Sequence, residues 1–480
     1  MIAWNAFYTY MLKPATNVKL IVALTLLAGL FFRRTETARA FHSSLQQLSA
    51  RRLILGVLSL ALVLRLFWVL WSPHVPPAPI TEDAVIWQHA LNLAHGVGFK
   101  DSLGEYTAGR PIGYPLFLSF LIRIFGPHLL VPELFQVLFG VLNVYCLFLI
   151  GKKLQSELFG AICALIYTLN PTAVMSTKLL LDEHLFLSLW LLGIYLFISD
   201  YQRPSYGKVA LGGWTVGLSA LFRTYSVITT LAVFLVWLFA KKDPRGAFVR
   251  LAMVSLLTIM PAVPWAIRNQ IRMGAPVFYS TIIGVHLYYA NNPTSDVRYP
   301  VNPDVQHGGD PEFSRATTEV ERDREGRRAA WRWAKNNPGL FLQKAVGRMF
   351  YMLGLNNEGW VVDDNFASVR PHASPPSPRL IKKIAKFECY YYVAVFCLSG
   401  LGILLSLLAV IRGEDARGWV YLIAVIALYL LTTAIALNHR KYRFVIEPYF
   451  CLLAGYALYQ TFFGPLAQAK ELFHRRVRVA

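Results

Sequence analysis

The sequence LILGVLSLALVLRLFWVLW at residues 53–71 decides the fold of this 480-residue chain. It contains one charged side chain, Arg65, and is long enough to cross about 30 Å of hydrocarbon as an α-helix. Because comparable runs recur along the chain, we predict an all-α polytopic membrane protein with about ten core transmembrane helices. These are predicted at residues 53–71, 132–150, 159–177, 179–199, 208–222, 224–240, 248–267, 388–411, 419–437 and 444–463.

The composition favours a membrane protein. Hydrophobic residues make up 55% and charged residues 15% of the chain, and the mean hydropathy is +0.44. A soluble domain of this size carries more charge, so the bilayer is the expected solvent. Lys and Arg outnumber Asp and Glu by 47 to 27, a formal charge of +20 that suits anionic headgroups and phosphorylated lipids. We expect membrane lipids as partners and no nucleic acid.

The chain divides into three predicted parts. Residues 1–50 form an N-terminal extension, residues 51–463 the transmembrane core, and residues 464–480 a basic cytoplasmic tail. The apolar run 18–32 in the extension ends at two arginines and is short for a span. It predicts one extra helix, either spanning or interfacial.

Charges in the short loops predict the orientation. Basic pairs at 51–52, 152–153 and 241–242 fall on one side, which the positive-inside rule assigns to the cytoplasm. Two longer segments, residues 72–131 and 268–386, are then placed outside. Apolar residues at helical spacing in the first segment predict two short helices lying along the interface.

Two acidic pairs lie at the outer ends of predicted helices. Glu82 and Asp83 follow a Pro-rich exit from the first span, where a carboxylate serves either as a base facing the interface or as a helix cap. Asp182 and Glu183, followed by His184, lie just inside an apolar span. An ionised carboxylate costs about 2.5 to 3.5 kcal/mol at a helix centre. This triplet therefore needs partners, with solvation at the membrane edge as the alternative.

Cationic residues on the outer side predict a bound anion. Arg65 lies in the outer half of the first span and Arg223 at an outer turn, so both are candidate site residues, with snorkelling as the alternative. The last outer turn concentrates four potential cations against the orientation rule, and a bound phosphate explains them best. These four are His439, Arg440, Lys441 and Arg443.

Six ordered motifs then carry a resemblance to a known class of enzymes. They are TEDAVIWQHALNLAHGVGF (81–99), GRPIGYPLFLSFL (109–121), STKLLLDEHLFLSLW (176–190), GLSALFRTYS (217–226), PAVPWAIRNQIRMGAPV with GVHLYYANNP (261–277 and 284–293), and HRKYRFVIEPY (439–449). In this order, from residue 52 to residue 463, the chain resembles the GT-C class of membrane glycosyltransferases. It resembles in particular the bacterial branch related to protein O-mannosyltransferases and the lipid A aminoarabinose transferase.

The resemblance implies an inverting glycosyltransferase of the bacterial inner membrane whose site faces the periplasm. It implies transfer from a polyprenyl-phosphate-linked sugar to a glycan, lipid or protein acceptor. Asp83 looks like the catalytic base, and Glu183 looks like the acid that orients the acceptor or assists a cation, with Glu82, Asp182 and His184 in support. A divalent cation is left open as a cofactor, and no other cofactor is implied.

The resemblance also implies two sets of binding residues. The set expected to hold the donor phosphate is Arg65, Arg223, Arg268, His439, Arg440, Lys441 and Arg443. The set expected to shape the cavity is Arg110, Tyr114, Trp265 and Asn269.

Two other functions fit the same hydropathy. A lipid-linked glycan flippase or secondary transporter is also polytopic and basic, but transporters place their sites near the bilayer midplane, whereas the acids here lie at outer helix ends. A glycan polymerase or ligase also uses lipid-linked substrates and a long outer loop, but the ordered motif set does not predict it.

Overall fold

The computed structural model describes residues 2–12, 16–32, 50–72, 81–297, 309–355, 377–412, 417–436 and 440–463. This part of the chain is built of α-helices joined by turns and by short 3-10 and π-helical segments, as predicted. The α-helices, numbered in chain order, are α1 (Ile2–Phe7), α2 (Thr16–Phe32), α3 (Ala50–Trp71), α4 (Glu82–Ala94), α5 (Gly113–Phe125), α6 (Leu130–Leu154), α7 (Glu157–Thr168), α8 (Pro171–Met175), α9 (Glu183–Gln202), α10 (Tyr206–Ala220), α11 (Ile228–Leu235), α12 (Pro244–Ile259), α13 (Val263–Met273), α14 (Ile282–Ala290), α15 (Pro311–Arg315), α16 (Glu319–Asn336), α17 (Pro338–Met352), α18 (Pro378–Ile411), α19 (Arg417–Ile435) and α20 (Glu447–Phe462).

Six helices of the described chain are long and apolar enough to cross a membrane. A seventh span results if α7 and the segment Pro171–Lys178, which meet at 65°, are counted together. The multi-pass architecture is therefore confirmed, whereas the predicted number of about ten spans is not. The six helices are Arg51–Trp71, Leu130–Leu154, Glu183–Gln202, Pro244–Met273, Pro378–Ile411 and Gly418–Ile435.

The other three predicted spans are helical but short. The runs at 208–222 and 444–463 form α10, with 15 residues, and α20, with 16 residues. The run at 224–240 is divided into a 3-10 turn, α11 and a π-helical segment. Each run includes or adjoins turn residues that hydropathy does not separate from the helix, so a hydropathy count overestimates full-length spans.

The predicted extra helix near the N-terminus is present as α2, which packs against α18 and α20. An added Cβ at Gly29 would lie 2.6 Å from the ring of Phe462, so these two helices are in close contact. The preceding residues pack on α17, where the rings of Tyr10 and Tyr351 meet edge to face with centroids 5.3 Å apart.

The basic short loops gather at one end of the bundle. Gln202 Nε2 donates to the carbonyl oxygen of Lys153 at 2.7 Å, and Lys208 Nζ donates to that of Arg203 at 2.9 Å. Lys241 lies over an aromatic ring of the same end. The loops at 152–153 and 241–242 therefore both lie beside the C-terminal end of α9.

At the other end, α4 and α5 pack against each other and cover the core. Gly113, the first residue of α5, donates its backbone N–H to the carbonyl oxygen of Leu221 at 2.9 Å. An added Cβ would lie 2.7 Å from that oxygen, so only glycine permits the contact. The contact places Arg110 and Tyr114 beside the turn that carries Arg223.

Candidate active site

A cavity of about 180 Å³ opens between α4, α5, α14 and the turn after α10. It combines charged, aromatic and apolar side chains, the composition of a typical binding pocket. Its lining residues are Glu82, Ile86, Arg110, Pro111, Tyr114, Pro115, Asp182, Phe222, Arg223, Thr224, Tyr225, Ser280, Ile282, Ile283, His286, Thr432, Ala436 and Tyr442.

Glu82 is the first residue of α4 and has both carboxylate oxygens engaged by cations. Arg110 Nη1 lies 2.5 Å from Glu82 Oε1, and Lys441 Nζ donates to Glu82 Oε2. The start of a helix carries partial positive charge, which also favours a carboxylate at this position. The first outer segment and the last outer turn are thereby joined through one side chain.

This pairing controls the ionisation of Glu82. Burial opposes the charged form, but the nearby Lys441 and Arg110 outweigh burial and hold the pKa of Glu82 well below its usual range. The carboxylate is therefore ionised and bound at neutral pH. It gains basicity only if its cations move to another anion.

A second ion-pair group lies at the start of α9. Arg223 Nε donates to Asp182 Oδ1 at 2.7 Å, and Arg223 Nη2 donates to Glu183 Oε1 at 2.6 Å. All three side chains are buried. The guanidinium thus bridges the two acids, and its planar shape suits this fork. Arg223 Nη1 also lies 3.4 Å from the hydroxyl of Tyr225.

The charges of the two groups balance. Three cations, Arg110, Lys441 and Arg223, face three carboxylates. Among the described residues no group of three or more His, Cys, Asp and Glu side chains is arranged to hold a metal ion. Arg223 engages one oxygen of each of Asp182 and Glu183.

Asp83, predicted as the base, is placed differently from Glu82. Its side chain is buried, and Oδ1 accepts the backbone N–H of Ala84 at 3.2 Å. It is not among the described residues that line the cavity. One step along a helix turns a side chain by about 100°, since there are 3.6 residues per turn. Only Glu82 of the pair therefore faces the cavity.

Arg65 and His184 lie deeper, between the spans. Arg65 is fully buried and donates through Nη1 to the carbonyl oxygen of Ala61 at 3.3 Å. His184 Nε2 lies 2.9 Å from Ser176 Oγ. Neither residue is among those that line the cavity in the described chain. Sequence analysis missed a buried ion pair at the same end, Lys178 Nζ to Glu133 Oε2 at 2.9 Å, because its partners belong to two distant helices.

Two predicted binding residues on α13, Arg268 and Trp265, contact the loop that follows α4. A third, Asn269, contacts the segment after α13. Arg268 donates to the carbonyl oxygens of Phe99 and Thr107 at 2.7 and 2.9 Å. Its guanidinium lies 4.7 Å from the centroid of the Trp265 ring. Asn269 Nδ2 donates to a nearby carbonyl oxygen at 2.7 Å. Arg268 and Trp265 therefore position the loop after α4, and Asn269 positions the segment after α13. None of the three is among the described lining residues.

The predicted cationic turn is divided between two environments. Lys441 reaches Glu82, whereas Arg443 is fully buried, pairs with Glu447 at 2.9 Å and stacks on Tyr392 at 3.5 Å. His439 lies outside the described residues, as does the side chain of Arg440.

Sequence analysis missed three residues of the cavity, His286, Tyr225 and Tyr442. His286 lies on α14, within the motif GVHLYYANNP, and burial together with the charge of Arg110 lowers its pKa to about 4. The rings of Tyr225 and Tyr442 meet edge to face at 5.9 Å. A single histidine in an apolar motif was the available signal for His286.

Residues 109–265, which carry Arg110, Asp182, Glu183 and Arg223, match the model of a family described as dolichyl-phosphate-mannose-protein mannosyltransferase. Over these residues the chain is similar to a family of membrane glycosyltransferases. The resemblance predicted from the motifs and the predicted enzyme class are thereby confirmed. Glu82, which lines the cavity, and Lys441, which contacts Glu82, lie outside the matched residues.

Two solved structures show similarity to this chain at low identity. The oligosaccharyltransferase of Archaeoglobus fulgidus in the apo form is 13% identical, over 88% of this chain and 52% of that chain, with a TM-score of 0.49. ArnT from Cupriavidus metallidurans bound to undecaprenyl phosphate is 14% identical, over 87% and 79%, with a TM-score of 0.41. The chain thus spans about half the length of the archaeal enzyme. No curated protein sequence matches it.

Proposed function

We propose that this glycosyltransferase transfers a sugar from a polyprenyl-phosphate donor to a hydroxyl of an acceptor at the outer face of the membrane. The observation that carries the proposal is the pairing of Glu82 with two cations, Arg110 and Lys441, in a cavity beside the spans. A membrane-borne phosphate needs cations at the ends of spans, and an acceptor hydroxyl needs a base within reach. The name of the matching family, which specifies a dolichyl-phosphate sugar donor, supports the same substrate class.

The donor phosphate competes with Glu82 for Lys441 and Arg110. As the phosphate draws these cations, the carboxylate loses the charges that lower its pKa, and burial then raises that pKa. The base becomes stronger only when the donor is present. This order of events limits cleavage of a donor that is not bound correctly.

The transfer itself is a single displacement. The acceptor oxygen forms a bond to the anomeric carbon, the bond from that carbon to the phosphate oxygen breaks, and the anomeric configuration inverts. The acceptor proton passes to Glu82, and the charge that develops on the phosphate is stabilised by Lys441 and Arg110. Arg223, fixed by Asp182 and Glu183, positions the wall of the cavity.

The outer location is part of the proposal. The cavity lies at the end of the bundle opposite to the basic short loops, and the positive-inside rule assigns those loops to the cytoplasm. The bacterial inner membrane and a site open to the periplasm follow from the branch that the motifs resemble.

The purified protein in lipid nanodiscs tests the reaction. We expect release of labelled sugar from one member of a panel of undecaprenyl-phosphate hexoses and pentoses, with formation of undecaprenyl phosphate. Movement of intact donor across a vesicle bilayer without cleavage would instead identify a flippase. Mass spectrometry of envelope lipids, glycans and exported proteins from a deletion strain then identifies the acceptor, because the lost mass reports the sugar and its recipient together.

A further inference from the structure

A second cavity, of about 510 Å³, lies on another face of α4. Glu82 and Ile86 line the first cavity, whereas residues 84, 85 and 87–89 of the same helix line the second. The helix therefore separates the two cavities. Arg110 lines both, so the cavities meet at the side chain that binds Glu82 Oε1.

The second cavity contains a buried histidine with one ring nitrogen that lacks a hydrogen-bond partner among the described residues. His89 is 5% exposed, and its ring stacks on Phe99 with centroids 4.2 Å apart. Its Nδ1 atom is buried with no hydrogen-bond partner among the described residues. A buried polar atom without a partner costs about 1 to 3 kcal/mol. His89 is one of the residues that line the cavity.

The remaining lining suits a polyhydroxylated ligand. Trp87 contributes a half-buried aromatic ring, and the polar groups around it present amide, hydroxyl and charged functions. These polar residues are Gln88, Lys100, Asp101, Ser102, Thr107 and Arg110. A sugar ring has apolar C–H faces that pack on aromatic rings and hydroxyls that bind planar polar groups. The volume lies within the range of about 300 to 1,000 Å³ typical of small-ligand sites.

Two other occupants fit less well. An extended peptide commonly binds by pairing with a sheet edge, and the described residues contain no named β-strand. A lipid chain would place hydrocarbon against the charged groups of Lys100, Asp101 and Arg110, which line this cavity.

We propose that the second cavity binds the saccharide end of a glycan acceptor and delivers its hydroxyl past Arg110 to Glu82. The proposal rests on the proposed function, because it assigns the acceptor class for the same reaction. Donor and acceptor then approach Glu82 from the two faces of α4.

The test compares two tryptophan substitutions on adjacent loop positions. Ser102 lines the cavity, so Ser102→Trp fills it, whereas Leu103 is 85% exposed and is not among the described lining residues, so Leu103→Trp is the matched control. The probes are labelled undecaprenyl-phosphate sugar and a delipidated envelope glycan fraction. The measured quantity is the ratio of sugar transferred to glycan to sugar released into water.

We expect the ratio to fall at least tenfold in Ser102→Trp relative to Leu103→Trp. Trp87→Ala should lower it by about tenfold, the loss of roughly one stacked aromatic contact, and Trp87→Phe should restore most of it. Trp87→Ala also keeps the test decisive if Ser102→Trp fails to fold.

Equal ratios in Ser102→Trp and Leu103→Trp overturn the proposal. So does a labelled product that protease removes and that glycan-degrading treatment leaves intact. Failure of the proposed function gives a different result, namely no cleavage of donor by the unmodified protein.

Discussion

Lys441 donates a hydrogen bond to Glu82 across 359 positions of the chain. Arg110 holds the other oxygen of the same carboxylate at 2.5 Å. The turn that carries Lys441 and the start of α4 therefore share one carboxylate. Under the proposed function, the donor phosphate competes with Glu82 for Lys441 and Arg110. Both the affinity for donor and the basicity of Glu82 depend on this contact.

Glu82→Gln should reduce transfer about 10² to 10⁴-fold, the usual effect of losing a general base. Asp83→Asn should stay much closer to the unmodified rate, because Asp83 does not line the cavity in the described structure. Initial rates at saturating donor, with thermal stability as the control, compare the two. A collapse in Asp83→Asn with an active Glu82→Gln would return the role of base to the residue predicted from the motif.

Lys441→Ala should raise the KM for donor about ten- to a hundredfold, because a charge-assisted hydrogen bond contributes about 1.5 to 3 kcal/mol. Arg443→Ala is the matched variant, two residues away. It leaves Glu447 buried without its ion pair and should cost about 3 to 5 kcal/mol of stability. Donor titrations and thermal denaturation separate these effects. The opposite assignment, with Arg443→Ala stable and defective for donor, would place Arg443 at the phosphate.

His286 should lower the free energy of unfolding at acid pH. Burial first, and then Arg110, lower its pKa in the folded protein to about 4, below the unfolded value of about 6.5. The neutral ring therefore contributes stability that is fully present above pH 6.5 and is lost as pH falls toward 4.

Between pH 7 and pH 4, the denaturation midpoint of His286→Gln should fall less than that of the unmodified protein. His128→Gln, at an exposed position, should leave that fall unchanged. Identical pH profiles for the two variants would contradict the assignment.

Ser314 and Arg412 should lie on opposite sides of the membrane. Both positions are exposed, and the orientation rule places Ser314 outside. In a background with the native cysteines replaced, Ser314→Cys should react with a membrane-impermeant thiol reagent in intact cells. Arg412→Cys should react only after permeabilisation. Labelling of Arg412→Cys alone in intact cells reverses the topology.

Gly113→Ala should destabilise the protein by about 1 to 3 kcal/mol, because the added Cβ lies 2.7 Å from the carbonyl oxygen of Leu221. Transfer should also fall, since the same contact places Arg110. Gly56→Ala on α3 is the control, because its added Cβ meets no atom within 4 Å. Thermal denaturation of both proteins is decisive, and equal midpoints would show that α5 can shift freely.

Sequence reasoning succeeded where a residue property is independent of packing. Apolar runs predicted helices because backbone groups in a bilayer must pair within the segment. The turn residue Arg223 and the acid Asp182, which pair and line the cavity, were predicted because charges near a membrane need partners. These inferences require only hydropathy and chain order.

Other features of the site depend on helix rotation and tertiary packing, which cannot be read from the sequence. Glu82 and Asp83 differ by one position, and tertiary contacts decide which of them faces the cavity. Lys441 and Arg443 occupy one short turn yet reach different partners. His286 lacks charged neighbours in its own helix, so its place in the cavity arises from distant segments.

Glu319 ties the loop after α4 to α16. Its carboxylate accepts the hydroxyl of Thr107 at 2.7 Å and the backbone N–H of Ala108 at 2.6 Å, and the latter contact joins positions 211 residues apart. During translation the loop leaves the ribosome long before Glu319 is made. The growing chain therefore inserts its first spans while this loop still lacks its clamp, and maturation of the site must follow synthesis of α16.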